Sequence, residues 1–189
     1  MANSQNVTYG KPKVGGAIFS APLGTALPTD ATTNLDLAFK ELGYASEDGV
    51  TNNNSPESET VQAWGGDTVL VTQTSKEDSF VYQLIEATNV DTLKEVYGAG
   101  NVTGDLATGI TVTANSTPLE AHSIVIDMIL KGGVLKRIVL PNATVSEIGE
   151  IVYNDTDPVG YETTLFCSPD EDGNTHYEYI VKPNTEAGA

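Results

Sequence analysis

Alternation of side chains with a period of two constrains this chain more than any other feature. It is clearest in residues 67–74, where valines and threonines fall on opposite faces, and in residues 79–87, where Phe80, Tyr82 and Leu84 share one face. Successive side chains of a β-strand point to opposite faces, so these runs predict strands. Strand-like runs follow at 109–114, 123–131, 134–140, 143–153, 160–168 and 175–181. The sequence therefore predicts a mainly β fold.

Two short segments between these runs have the composition of turns. Gly132-Gly133 predicts a tight hairpin, because glycine accepts the positive φ angles of two-residue hairpin loops. Residues 170–174, Asp-Glu-Asp-Gly-Asn, predict a longer hairpin turn. They do not match a calcium loop, since Gly173 stands in the fourth place instead of the sixth.

One short helix is predicted at about residues 89–97. Thr88 stands three residues before Asp91, as in a capping box, and Gly98 suits the position just past a helix end. Apolar residues follow at helical spacing at Val90, Leu93 and Val96. A helix of this length does not persist alone, so we expect it to pack on the sheet.

The 189 residues suffice for one well-buried core, whereas two domains would be cramped. We expect an N-terminal arm at 1–13, a single domain at 14–181 and a C-terminal tail at 182–189. Within the domain, the pattern of residues 35–42 fits either a short helix or a strand.

Residues 46–62 are polar and acidic, and nothing among them would fill a core. They predict a long loop, which in a compact domain is either a mobile surface segment or a functional one. Trp64, the only tryptophan, follows directly. It could anchor this loop to the core or rim, or it could form a contact between subunits, since tryptophan is favoured at interface centres.

The chain is strongly acidic. Nine basic residues stand against 26 acidic ones, which gives a formal net charge of -17. The acids are spread along the sequence, so the surface as a whole would repel nucleic acid and anionic membranes. This balance argues against a DNA-binding module and would keep a free subunit soluble.

Residues suited to metal binding or catalysis form no recognisable motif. With one cysteine, Cys167, and two histidines, His122 and His176, the sequence offers neither a disulfide nor a Cys/His metal cluster. No glycine-rich loop leads into a phosphate-binding helix, and neither histidine accompanies a nucleophile in a known pattern. We therefore expect no cofactor, no metal and no enzyme activity.

The N-terminal residues lack the charged and apolar regions of a signal peptide, and no run of about 18 apolar residues occurs. We expect a protein made in a cytoplasm that does not enter a membrane.

Several segments, in their order and spacing along nearly the whole chain, resemble the major tail tube proteins of long-tailed, siphovirus-type bacteriophages. No single segment is a signature of chemistry, so the resemblance depends on the series. The segments are 13–19, 42–51, 63–67, 84–88, 127–133, 136–141, 160–164 and 174–179.

The resemblance implies a β-sandwich or half-barrel with one flanking helix. It also implies hexameric rings that stack into a hollow tube around a tape measure protein, with tail terminator and distal tail or baseplate proteins as further partners. DNA would pass through the lumen without specific binding. The protein would reside in the virion tail after assembly in the cytoplasm of the bacterial host.

By position, residues 46–62 match the loop that in this family reaches neighbouring subunits or rings. The candidate contact residues are Val14, Ile18, Phe19, Glu47, Asp48, Val50, Asn53, Pro56, Glu57, Glu59 and Trp64. Because salt screens charges over about 8 Å, only acids on the lumen wall would act on passing DNA, and they would keep it from sticking. An adhesin-like or decoration module that binds a surface ligand is the alternative function.

Overall fold

The computed structural model describes residues 2–13 and 16–183, and an antiparallel β-sheet dominates them. One path through the sheet runs β3-β2-β8-β9-β10-β5-β4, while β1 also pairs with β8 and β11 with β9. A separate two-stranded sheet joins β6 to β7. The strands are β1 Gly10–Pro12, β2 Ile18–Pro22, β3 Lys40–Glu41, β4 Ala45–Gln62, β5 Thr68–Leu84, β6 Val102–Thr103, β7 Thr111–Val112, β8 His122–Leu130, β9 Val134–Ile148, β10 Tyr161–Cys167 and β11 Tyr177–Val181.

The predicted fold class is confirmed, because the described chain is mainly β, is antiparallel and contains one α-helix. Ile18 of β2 and Phe80 of β5 belong to the same buried core although three strands separate β2 from β5 in the sheet. The sheet must therefore curl so that its two sides approach each other, as in a half-barrel. Other members of this core are Leu42, Tyr82, Leu84, Ile124, Ile126, Leu140 and Leu165.

The predicted long loop at residues 46–62 is wrong. These residues form most of β4, an 18-residue strand that pairs with β5 from Ala45 to Gln62. Backbone hydrogen bonds to β5 make the segment a strand although it has no apolar face. The prediction failed because only side-chain periodicity was available from the sequence.

Strand β9 forms the middle of the sheet and changes partner along its length. Residues 135–139 pair with β11, whereas residues 143–148 pair with β10. The two strands predicted at 134–140 and 143–153 are thus one strand that ends at Ile148. The turn at residues 170–174 is present, but it does not form a hairpin, because β10 and β11 both pair with β9 and not with each other.

The hairpin predicted at Gly132-Gly133 is present, but its loop has three residues, 131–133, and not the two that the glycine pair predicted, since Leu130 pairs with Val134. Both glycines have positive φ, 77° and 75°, which a side chain would disfavour. At the N-terminus, residues 10–12 of the predicted arm pair with β8.

The predicted helix is confirmed as α1, Val90–Tyr97, but its cap is Asn89 and not Thr88. The Asn89 side chain accepts a hydrogen bond from the Asp91 backbone N–H at 2.9 Å. Leu93 and Val96 pack on Tyr161 of β10, so the helix covers the sheet as expected.

Residues 35–42, for which the pattern left helix and strand open, are largely irregular and contain only β3. The preceding loop is attached to the sheet by Arg137, whose guanidinium donates to the backbone oxygens of Asp30 and Thr33 at 3.0 and 2.8 Å. This loop covers the second, smaller core around Val125 and Val139.

Candidate assembly surface

The β4–β5 hairpin projects from the body of the protein. Residues 68–77 of β5 are all exposed, whereas every second residue from Asp78 onward is buried. Its partner strand β4 is exposed from Thr51 to Gln62. The change at Asp78 marks the point where the hairpin leaves the core.

Asp78 fixes the base of this hairpin. It is 1% exposed, and its carboxylate accepts hydrogen bonds from Asn52 at 2.7 Å and from Thr175 at 2.6 Å. His176 Nδ1 lies against the same carboxylate. Burial raises the pKa of Asp78, but hydrogen bonds from Thr175, His176 and Asn52 outweigh it and lower the pKa below its ordinary value. An ionised carboxylate therefore joins the hairpin to the segment that precedes β11.

The hairpin ends in a tight turn that presents Trp64. Ala63 and Asp67 close the turn through a backbone hydrogen bond of 2.8 Å. Gly65 and Gly66 have φ of 120° and 96°, values that favour glycine. Trp64 is 107% exposed, so the indole contacts nothing else within the described chain.

Further apolar side chains on the hairpin lack cover. Val61, Val69, Leu70 and Val71 are each more than half exposed. Both faces of β5 are apolar at this point, since neighbouring side chains of a strand point in opposite directions. Clusters of exposed apolar side chains of this kind are typical of interaction sites in soluble proteins.

Among the described residues, nothing pairs with the outer backbone edge of β4, which is the last strand of the sheet path. An 18-residue free edge is a template on which another strand can pair. The opposite edge strand, β3, has only two residues. The molecule therefore offers strand pairing mainly along β4.

The structure places the predicted contact residues in three settings. Asn53, Pro56, Glu57, Glu59 and Trp64 lie on the projecting hairpin or its tip, and Glu47, Asp48 and Val50 lie at the irregular pairing near its base. Ile18 is fully buried in the main core, and Phe19 is partly buried against the second core. Val14 lies outside the described residues. All of these contacts remain a proposal.

Sequence reasoning missed the exposed residues Val61, Val69, Leu70 and Val71. Alternation in residues 67–74 predicted a strand, but it did not indicate that this part of the strand leaves the core. The unbroken run Val69-Leu70-Val71 was the available signal, because a strand with one buried face alternates strictly.

Within the described residues, the buried side-chain polar groups have hydrogen-bond partners, except for the hydroxyl of Ser46 near the start of β4. Glu95 accepts from Tyr82 Oη at 3.2 Å and lies 2.8 Å from His122 Nε2. Within the described ranges, no group of His, Cys, Asp and Glu residues could hold a metal ion. Nor does any helix of that same part of the chain have the length and apolar character to cross a membrane.

Comparison with known proteins identifies the family. The family model described as phage tail tube protein matches residues 2–189. Among solved structures, the cryo-EM structure of the anti-feeding prophage cap, a tube-terminating cap, covers 96% of this chain and 100% of its own at 11% identity. The TM-score of this match is 0.45. No curated protein matches the chain. On the match to the family model, the chain belongs to the phage tail tube protein family.

Proposed function

We propose that this chain is the repeating subunit of a hollow phage tail tube, built from stacked hexameric rings through which DNA leaves the virion. The observation that carries the proposal is the β4–β5 hairpin, which holds Trp64 and four apolar neighbours in solvent and leaves the edge of β4 unpaired. Two strands alone are marginally stable in water. Contacts with identical subunits would cover these residues.

The proposed tube needs two kinds of contact between copies, one within each ring and one between rings. A strand edge that meets a different surface of the next copy forms a head-to-tail contact, which gives a ring when the rotation between copies closes, as we propose here for six copies. Contacts along the tube axis need not close, so rings can stack without limit. A tape measure protein inside the tube, and a tail terminator and distal tail or baseplate proteins at its ends, would then set its length and boundaries.

The sheet also offers a candidate lumen wall. Tyr82, Thr163 and Leu165 face the core, so the residues that alternate with them in β5 and β10 face away from it. Glu162 lies on this open face, and Glu147 joins it because it pairs with Thr164. No lysine or arginine occurs in residues 79–83, 144–147 or 162–166. An acidic face without cations would repel DNA and let it slide.

Electron microscopy of the purified protein over a range of concentrations tests the proposal. We expect stacked rings with a central channel from the intact chain. A variant in which residues 55–77 are replaced by Asn-Gly, which joins Asn54 to its partner Asp78, should fold and stay monomeric. Circular dichroism and hydrogen exchange of the strands of the body would show that the shortened variant is folded.

Two results would contradict the proposal. One is an intact chain that remains a monomer at every concentration, particularly if it binds a surface glycan, which would favour the adhesin-like alternative. The other is a shortened variant that assembles as well as the intact chain.

A further inference from the structure

A groove lies between α1 and the part of the sheet where β2 ends. Its volume is about 1020 Å³. Its floor and walls include Ala21, Leu42 and Val145 from the sheet side, and Pro118 and Leu119 from the segment before β8. Small and aliphatic side chains therefore line most of it, and it has room for an aromatic ring with its neighbours.

The groove and the hairpin tip lie at opposite ends of the strands. Strands β5 and β9 both run antiparallel to β10 and therefore run in the same direction as each other. Phe166 of β10 pairs with Ser79 of β5, and the next residue, Cys167, pairs with Ala143 of β9, so Ser79 and Ala143 lie at nearly the same level of the sheet. Going towards the N-terminus from this level, β5 reaches the hairpin tip and β9 reaches the β8–β9 turn. The tip and the β8–β9 turn therefore lie at the same end of the sheet. The groove instead borders Pro22↔His122, where β8 begins.

The groove contains cations that could pair with the acids of the hairpin tip. Residues 51–75, the distal part of the hairpin, contain Glu57, Glu59 and Asp67 but no lysine or arginine. The groove carries two of the nine cations of the chain, Lys40 and Lys94. Asp91, Glu95 and Glu120 also line the groove, so its lining is slightly acidic in formal charge, and Lys40 and Lys94 are the groups that could pair with the acids of the tip.

The two lysines are available to a partner. Lys40 is exposed and, within residues 2–13 and 16–183, donates only to the backbone oxygen of Leu37 at 3.0 Å. Lys94 lies 3.9 Å from Asp91, at the limit of an ion pair, with both side chains partly exposed. Among the acidic groove residues, Glu95 is already occupied by Tyr82 and His122.

We propose that the groove receives the Trp64 tip of a second copy of this chain. The inference rests on the proposed tube and names the surface that each tip would meet. Trp64 enters between Leu119 and the sheet, and the acids of the tip approach Lys40 and Lys94. The contact is head-to-tail, because the donor end and the acceptor end differ, and along the tube axis such a contact can repeat from ring to ring.

The length of the hairpin suits such a contact. Residues 68–77 of β5 extend beyond the buried part of the strand, which at about 3.3 Å per residue projects the tip about 33 Å from the body. The tip is therefore held far from the core, at the end of the molecule where the β8–β9 turn also lies, and it is accessible to another copy.

Cysteine cross-linking tests the contact directly. Ala63→Cys places a thiol beside Trp64 without removing the indole, and Ala99→Cys places one at the exposed rim of the groove. A chain with both substitutions should give a ladder of covalent multimers when tubes are oxidised. Mixtures of the two single variants should give dimers only.

The native cysteine does not interfere, because Cys167 is buried and its pKa is raised to about 12 by burial and by the charge of Asp78. The matched control is Ala63→Cys with Lys131→Cys, since Lys131 lies in the β8–β9 turn at the same end as the tip. This pair should give no ladder.

A charge exchange provides an independent measurement. Lys40→Glu with Lys94→Glu should raise the concentration needed for assembly, and Glu59→Lys with Asp67→Lys on the same chain should restore it. The matched control, Lys11→Glu with Lys131→Glu, has the same net charge as the first variant. Trp64→Ala should raise the required concentration on the order of tenfold or more, as expected for an interface hot spot.

The outcomes separate this inference from the proposed function. Tubes that form normally but give no ladder from Ala63→Cys with Ala99→Cys would overturn the groove assignment and leave the tube intact. Cross-links of Ala63→Cys to itself, or to Lys131→Cys, would likewise overturn it. Failure of the unmodified chain to form tubes would remove the proposed function, and this inference with it.

Discussion

At the scale of single residues, a few buried charges hold loops onto the sheet. Arg137 is 1% exposed, and its Nε and Nη2 donate to both oxygens of Asp127 at 2.6 and 2.8 Å. Its remaining nitrogen holds the loop before β3, as described above. Such a bidentate pair has its charges and hydrogen bonds satisfied together, so the loss of one partner exposes the full desolvation penalty of the other.

Arg137→Met should destabilise the protein by about 3–5 kcal/mol, because it leaves the Asp127 carboxylate buried with only the exposed Lys13 nearby. Urea unfolding measures the change. Lys136→Met is the matched control: it removes a surface pair with Glu178 and should change the free energy of unfolding by less than about 1 kcal/mol. Asp127→Leu added to Arg137→Met should recover part of the loss. Equal effects of Arg137→Met and Lys136→Met would contradict this account.

His122 gives the stability of the protein a pH dependence. Burial lowers the pKa of His122, but the hydrogen bond and negative charge of Glu95 outweigh it, so the pKa is raised above its ordinary value. A raised pKa in the folded state means that protonation stabilises the fold. The contribution is fully present below the unfolded-state pKa of about 6.5 and is lost as pH rises through the folded-state value.

We expect the unfolding free energy of the native chain to fall between about pH 6.5 and the higher folded-state pKa of His122. His122→Gln should remove this contribution, so its difference from the native chain should be largest at pH 6 and shrink as pH rises. Urea denaturation at several pH values provides the comparison. A difference that does not vary with pH would show that His122 is not protonated in the fold.

At the scale of elements, the β4–β5 hairpin projects from the body and is attached to it at its base, near Asp78. Asp78 joins it to the segment before β11, and His176 also meets Phe80 edge-on, with ring centroids 5.4 Å apart. In the part of the chain that the structure describes, the hairpin beyond Asp78 is held by pairing between its own two strands. Its orientation relative to the body therefore depends on this junction.

Asp78→Ala should lower the free energy of unfolding by about 2–3 kcal/mol, because it leaves the donors on Asn52, Thr175 and His176 without their charged acceptor. Hydrogen exchange should become faster in residues 68–79 and 168–176 and change little in β8. Asp172→Ala, on the exposed turn nearby, is the control and should leave exchange unchanged. Uniform loss of protection throughout the sheet would mean that Asp78 supports the whole core and not the hairpin junction.

At the scale of the whole molecule, the acidic charge opposes association between copies. The contacts of the hairpin must overcome repulsion between subunits that each carry a formal net charge of -17. Most of this charge is screened beyond about 8 Å in physiological salt, so only acids close to passing DNA would affect its movement. Under the proposed function, those acids lie on the open face of the sheet.

Glu147→Lys with Glu162→Lys should slow DNA ejection from assembled virions, because cations on the lumen wall would bind phosphates. The rate of DNA release after triggering measures the effect. Glu171→Lys with Asp172→Lys changes the charge equally on an exposed turn and should leave the rate unchanged. If virions with Glu147→Lys and Glu162→Lys ejected DNA at the unaltered rate, the proposal that this face of the sheet forms the lumen wall would be wrong.

The sequence by itself determined those elements that depend on interactions between residues close together in the chain. The alternation in residues 79–87, the glycines at 132–133 and the helical spacing after Asn89 each predicted the element that the structure contains. The series of family-like segments predicted the family that the comparison shows. These features were readable because a side chain acts on its own backbone or on positions a few residues away.

Only the tertiary structure decided what depends on distant partners. Residues 46–62 have no apolar period, yet they form a strand because β5 supplies backbone hydrogen bonds along their length. The same long-range pairing leaves Val69, Leu70 and Val71 in solvent instead of in a core. Whether a strand covers a core or projects from it depends on what other segments lie against it, and a single sequence does not contain that information in its local pattern.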